Sequence, residues 1–354
     1  MIYLMNRGPS TLYSNLLRRN ANAEMQTQLA NAEQELSSGV KTDIYKSLGT
    51  GAVEALNLNA ALERDEAQTA ANSLLGSRLD TMSQAIGTMR EAVQSTLELA
   101  LANGAPEGGT AEGLQTSARA ALDMVIAQAN LNYGGQPMFA GIADGTTALQ
   151  VWDRPRADTG LSPQGVIGDV IAQGMGTPAE VADRIAELDA IFANSAADPE
   201  ENFDNMFFTG STGDARMSAS IGDGETLSYG VQANDAAFRQ VLQGLSMLAA
   251  TDATAIPDDE AYAAWVGTAT ERLNAGLSRL LDSQTQLDTA SARIETANTR
   301  MEDRALLYKN RISDLVGVDE YEAATDIKAL EAQLQASYAA TSRLSQLSFL
   351  NFMF

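Results

Sequence analysis

No residue of this 354-residue chain is a histidine or a cysteine. That excludes catalytic dyads and triads built on imidazole, thiolate nucleophiles, disulfides, and zinc sites made from Cys or His. Carboxylates and hydroxyls are what remain for chemistry. Asp319, Glu320, Glu322 and Asp326 form a dense acidic group. They lack the ligand loop and paired glutamate of an oxygen-coordinated cation site, so they read as an acidic helix N-terminus. Gly134-Gly135 is not a phosphate loop, because no Lys followed by Ser or Thr stands at the needed spacing. Gly222-Asp223-Gly224-Glu225 reads as a turn, and Trp152 and Trp265 as packing residues. Arg18-Arg19 reads as charge pairing within an assembly. No nucleophile has a His partner. The chain is read as a non-enzyme with no cofactor and no metal.

Asp and Glu total 46 against 23 Lys and Arg, for a formal net charge of −23. Such a surface repels nucleic-acid phosphates and anionic lipid headgroups. Self-association remains open through apolar interfaces, and salt should assist it by screening repulsion. No segment approaches the ~20 apolar residues of a membrane span. Met1–Asn20 lacks the basic and apolar regions of a cleaved signal peptide, so secretion would need another route.

The elements that dominate the chain are helices. Thr11 to about Ser37 carries Met25, Leu29, Ala32 and Leu36 in 4-3-4 spacing, with Leu12, Leu16 and Leu17 starting the apolar side. Ser37-Ser38-Gly39 ends it. A second helix, about Ala52 to Ala102, has its best stripe at Leu75, Leu79, Met82, Ile86, Met89, Val93, Thr96 and Ala100. A third, about 111–131, carries Leu114, Ala118, Leu122, Val125 and Ala129. Between 134 and 256 the heptads vanish. Thr177-Pro178-Ala179-Glu180 is a capping box opening a short helix. The alternation around 216–221 and 227–231 predicts a hairpin, and Asn234 or Asp235 would cap a helix bearing Phe238, Val241, Leu242, Leu245 and Leu248.

From Asp258 to Leu315 there is no Pro, and only Gly267 and Gly276 interrupt. Leu273, Leu277, Leu280, Gln284, Leu287, Ser291, Ile294, Asn298, Met301, Ala305, Tyr308, Ile312 and Leu315 keep heptad spacing. At ~1.5 Å per residue this helix reaches roughly 85 Å. Gln284, Ser291 and Asn298 are either register devices or wet layers. A last helix, about Glu320 to Asn351, shows Ile327, Leu330, Leu334 and Leu344, then crowds Leu347, Phe349, Leu350, Phe352 and Phe354 at its end.

The expected fold is mainly α: a long antiparallel helical bundle or coiled coil formed by both chain ends, with a small α/β inserted middle domain. The long C-terminal helix would fold back along the helices at 52–102 and 111–131. Residues 1–45 with 318–354 would form a terminal coaxial pair, 46–135 with 258–317 the long-helix bundle, and 136–257 the insertion. The stripes from Leu75 to Val93 and from Leu273 to Leu315 are read as bundle core. The terminal stripes are read as an intersubunit assembly surface, because a terminal pair has too small a core to fold firmly alone. The two ends are expected to fold on entering the assembly.

The terminal runs resemble the bacterial flagellin family. The segment Ala323-Ala324-Thr325-Asp326 through Leu330-Glu331-Ala332-Gln333-Leu334-Gln335-Ala336-Ser337-Tyr338-Ala339-Ala340 is similar to the family's C-terminal signature, and Gln34-Glu35-Leu36-Ser37-Ser38-Gly39 to its first-helix exit. The likeness covers about 10–141 and 260–354. The ending Leu347-Ser348-Phe349-Leu350-Asn351-Phe352 and the segment Tyr133-Gly134-Gly135-Gln136-Pro137-Met138-Phe139-Ala140-Gly141 resemble the hook–filament junction branch more than filament flagellin. Asp43 to Gly49 departs from the family's usual Asn-Pro-Ser-Asp-Asp-type run, and Tyr3 to Ser14 matches loosely. The resemblance implies type III flagellar export with an uncleaved signal, an export chaperone, and self-assembly into a ring or helix. It also implies contact with flagellin and the other hook-associated junction protein. Filament flagellin is the alternative reading, and a generic exported coiled-coil factor a distant third.

Overall fold

The computed structural model describes residues 11–43, 46, 48–105, 111–143, 145, 147–213 and 215–350; the side chains of 11, 12, 111, 112, 254 and 344–350 are outside that description. The helices are α1 (Thr11–Ser38), α2 (Gly51–Ala102), α3 (Ala111–Ala129), α4 (Pro163–Ala172), α5 (Pro178–Phe192), α6 (Phe203–Met206), α7 (Ala236–Ala250), α8 (Asp259–Val316) and α9 (Glu320–Leu350). Two short antiparallel hairpins join them, β1 (Asn132–Tyr133) with β2 (Gln136–Pro137) and β3 (Ser218–Gly222) with β4 (Glu225–Ser228). The protein is mainly helical, with its two terminal helices packed together and a small sheet-containing middle region. The chain divides into two compact units, one of residues 1–67 with 301–354 and one of residues 68–300.

In the first unit α1 and α9 pack side by side. Asn22 Oδ1 accepts from Ser337 Oγ at 2.5 Å, and Gln26 Nε2 donates to Tyr338 Oη at 2.6 Å. Gly39, at φ +70°, turns the chain out of α1 where a side chain would be strained. The exit strand then pairs with the end of α8. Lys41 N–H donates to the Val316 carbonyl at 2.9 Å, and Val318 N–H to the Gly39 carbonyl at 3.1 Å. Asp319 accepts from the Tyr321 and Glu322 amides at 2.8 and 3.2 Å, so this carboxylate is a helix cap. The start of α2 lies antiparallel to the end of α8, joined by the pairs Glu54–Arg311, Asp65–Arg304 and Glu66–Lys309.

In the second unit the same two helices form an antiparallel seam. Leu79, Met82, Ile86, Met89 and Val93 are buried on α2, and Leu273, Leu280, Leu287 and Ile294 on α8. Leu75 and Leu277 are half-buried. The polar heptad residues are bonded across the seam. Gln284 Oε1 accepts from Arg90 at 2.8 Å, Ser291 Oγ donates to Asp80 at 3.0 Å, and Asn298 Oδ1 accepts from Asn72 Nδ2 at 2.9 Å. Asn72 is only 1% exposed, and its amide also donates to the Ile221 carbonyl at 3.0 Å. Asn72→Ala is expected to lower stability by about 1–3 kcal/mol, because it strands buried acceptors. Urea unfolding followed by tryptophan emission checks this, since Trp152 and Trp265, the chain's two tryptophans, are both buried in this unit.

The middle region is organised by α7. Residues 241–249 of this helix are buried without interruption, so apolar surface faces every direction and must be enclosed. The structure surrounds it with α3, α4 and α5, and with α8, where Trp265 Nε1 donates to the Met247 carbonyl at 3.2 Å. The principal packing of α3 is therefore on α7; the long C-terminal helix had been the expected neighbour. The capping box opens α5 as expected, with Thr177 Oγ1 accepting from the Glu180 amide and the Glu180 carboxylate accepting from the Thr177 amide. The β3–β4 turn places Asp223 and Gly224 at φ +52° and +74°, the primed-turn geometry of a two-residue hairpin. Helix α4, capped by Ser162 and opened by Pro163, was not foreseen; Gly165 and Gly168 dilute its periodicity.

Candidate assembly surfaces

The two units differ in how they are filled. In the second, large side chains such as Trp152, Trp265, Phe139, Phe203, Phe207, Phe208 and Phe238 are fully enclosed. In the first, the buried apolar residues among those described are Ala52, Ala55, Met301, Ala305, Val316, Ala323 and Leu334. Four of these seven are alanines, which bury little area each. Several larger apolar side chains of the same unit are exposed. Leu16 is 53% exposed, Leu306 60% and Leu307 66%.

The terminal residues predicted to form an interface fall into three groups. Leu334 is buried against the helix pair, while Met25, Leu29, Ile327 and Leu330 are half-buried. Leu16 and Leu36 are exposed. The side chains of Leu12, Leu344, Leu347, Leu350, Phe352 and Phe354 lie outside the described residues. Within the long-helix stripe, Met301 is buried and Ile312 and Leu315 are half-buried in the first unit. Sequence reasoning missed Leu306 and Leu307. They sit between the heptad positions Ala305 and Tyr308, and that off-stripe placement was the signal available. Val53 and Leu56, 61% and 43% exposed, are the corresponding misses on α2.

The Tyr133–Gly141 segment is a structural device. Gly134 and Gly135 turn it at φ +60° and +84°, and Met138, Phe139 and Ala140 are buried beyond the hairpin. Phe139 packs on Phe238 with ring centroids 5.7 Å apart. The buried Arg78 guanidinium donates to the Pro137 carbonyl at 3.0 Å and so ties the hairpin to α2. Gly141, at φ +70°, lies so close to Gln232 that a Cβ would stand 2.7 Å from Nε2.

Among the described residues no helix is long and apolar enough to cross a membrane, and no group of three or more carboxylates is placed to hold a metal ion. The architecture is that of a helical protein whose two chain ends close a single unit around a thin core. Two family models match it, the bacterial flagellin N-terminal helical region over residues 10–144 and the bacterial flagellin C-terminal helical region over 255–353. The chain belongs to the bacterial flagellin family. No curated protein sequence matches it significantly. Among solved structures, one assigned to a flagellar hook-associated protein from Vibrio parahaemolyticus shares the fold, with a TM-score of 0.51 at 12% identity, over 76% of this chain and 99% of that one. The chain is thus a structural protein of the flagellum, an exported, extracellular assembly that serves motility. The family's fold implies self-association and contact with other axial proteins of the flagellum. The family is structural and carries out no catalysis.

Proposed function

We propose that this chain is the adaptor that joins hook to filament, the role of hook-associated protein 3. What supports this reading is the resemblance of the Tyr133–Gly141 segment and of the Leu347–Phe352 ending to that branch. The neighbour from Vibrio parahaemolyticus, itself described as hook-associated, is consistent with it. On this reading residues 1–45 with 318–354 form the assembly domain, 46–135 with 258–317 the supporting bundle, and 136–257 the variable insertion. The apolar side chains along α1 and α9 are then buried between copies. A chaperone would hold them before export through the flagellar type III route.

A strain lacking this protein should keep intact hooks and lose flagellin to the medium. Labelled protein should mark one narrow band on each flagellum. Purified chain that polymerises alone into long fibres, or a deletion strain with normal filaments, would instead favour the alternative of bulk filament flagellin or end the junction reading.

A further inference from the structure

Cations are scarce in the middle of this acidic chain, and the fold gathers them. Between residues 185 and 292 the only Lys or Arg residues are Arg216, Arg239, Arg272 and Arg279. Arg239, Arg272 and Arg279 line one groove of about 450 Å³ between α5, α7 and α8. Arg216 and Arg279 also line an adjoining groove of about 430 Å³, together with Asp235 and Asp282, which shares Ala236 with the first. Arg272 is paired with Asp189 at 2.7 Å, and Arg216 with Asp235 at 2.6 Å. Arg239 donates only to the Phe192 carbonyl, at 3.3 Å, so its charge has no carboxylate against it among the described residues. Arg279 is exposed and has no bonded partner among the described residues.

The complementary surface lies on the same lobe. Residues 157–215 contain a single cation, Arg184, which is engaged with Glu187 at 3.1 Å. The turn Asp198-Pro199-Glu200 is exposed throughout, and Glu201 follows it. Burial, and then the like charges of Asp198, Glu187 and Asp169, raise the Glu201 carboxyl above its ordinary range. Negative charge is thus crowded there without a cation to relieve it. Helix α5 carries both surfaces. Asp189 faces the arginine groove and Glu187 the acidic side, and two residues along a helix are separated by about 200° of rotation. A surface and its complement on opposite sides of one lobe make a head-to-tail contact that repeats from copy to copy around a ring or helix.

We propose that the groove lined by Arg239 and Arg279 receives the acidic turn 198–201 of a neighbouring copy of this chain. This rests on the assembly reading above. A copy supplies the carboxylates at the right place in every repeat, and the contact offsets locally the repulsion between subunits of net charge −23. Salt relieves that overall repulsion but screens this contact, so the salt dependence of assembly does not isolate it.

Cross-linking does. The chain has no cysteine, so introduced thiols report without background. A chain carrying Gln240→Cys, in the groove, and Glu200→Cys, on the turn, is produced in cells that build the flagellum, and isolated flagella are treated with a short bis-maleimide, each of whose rings adds one thiol as a thioether. The expected result is a ladder of covalent multimers from the double variant and none from either single variant. Arg279→Glu added to the double variant should reduce the ladder several-fold, and Glu201→Lys added to that should restore it. Entry into the flagellum without a ladder overturns this contact alone. Dimers from a single variant overturn it too, because they indicate like meeting like. Absence of even the unaltered chain from flagella overturns the assembly reading, and this inference with it.

Discussion

Deletion of Leu344 to Phe354 is expected to abolish entry into the flagellum and to leave the tryptophan emission of the purified chain unchanged. The deleted run holds three Leu, three Phe and one Met in eleven residues. Each such side chain gains about 1.5–3 kcal/mol on full burial. The core of residues 1–67 and 301–354 is built largely from alanine, so the described part of that unit offers little internal apolar surface for those side chains. On the proposed assembly reading, burial between copies recovers this energy. Trp152 and Trp265 are enclosed in residues 68–300, away in sequence from the deletion, and they report whether that unit still folds. A red-shifted emission after the deletion would show that the tail supports the middle of the chain. Retained assembly would show that the terminal helices do not need it. Proteolysis of the dilute monomer and of the assembly separates the related expectation. Equal, strong protection of both ends in the monomer would rule out folding on assembly.

The second large effect concerns two glycines of one helix. Gly276→Val is expected to destabilise residues 68–300 by about 1–3 kcal/mol or more, the cost of overpacking a close-packed site. A Cβ at this position would stand 2.5 Å from Val241 Cγ2 and 2.9 Å from the Val241 amide nitrogen, so backbone as well as side chain must move. Gly244 on α7 makes a second close approach further along the same contact, with a Cβ 2.8 Å from Leu273 Cγ and 2.9 Å from the Ala269 carbonyl. Each helix thus lacks a side chain at a point where the other packs directly on its backbone. Gly267→Ala should act in the opposite direction. Nothing lies within 4 Å of its Cβ, and removing an exposed helix-interior glycine gains about 1 kcal/mol. Urea unfolding read by Trp265, whose indole is bonded to Met247 of α7, measures both. Equal shifts for the two variants would refute the close approach.

These glycines show where sequence reasoning ends. Gly267 and Gly276 look alike as interruptions of a heptad pattern, and only the position of α7 tells a tolerated gap from a contact. Local signals were read well where the information is local. The capping box of Thr177 and Glu180, the Asp223-Gly224 turn and the extents of α1, α2, α8 and α9 follow from backbone preferences within a few residues. The polar positions 284, 291 and 298 were visible by spacing, but their choice between register device and wet layer was not. Arg90, Asp80 and Asn72, about 200 residues away along the chain, supply their partners.

The candidate surfaces divide in the same way. The terminal stripes are legible because heptad spacing records which side of a helix is apolar. Leu306 and Leu307 escaped notice because they belong to another side of α8, and exposure depends on what packs there.

The absence of His and Cys, the acidic charge, the helical periods and the family likeness of both ends were set by the amino-acid sequence alone, since each is a property of composition or short-range order. The enclosure of α7, the close approach at Gly276 and the gathering of Arg239, Arg272 and Arg279 into one groove were decided only by the tertiary structure. Each depends on which distant segments become neighbours, and a period in one helix does not specify its partner.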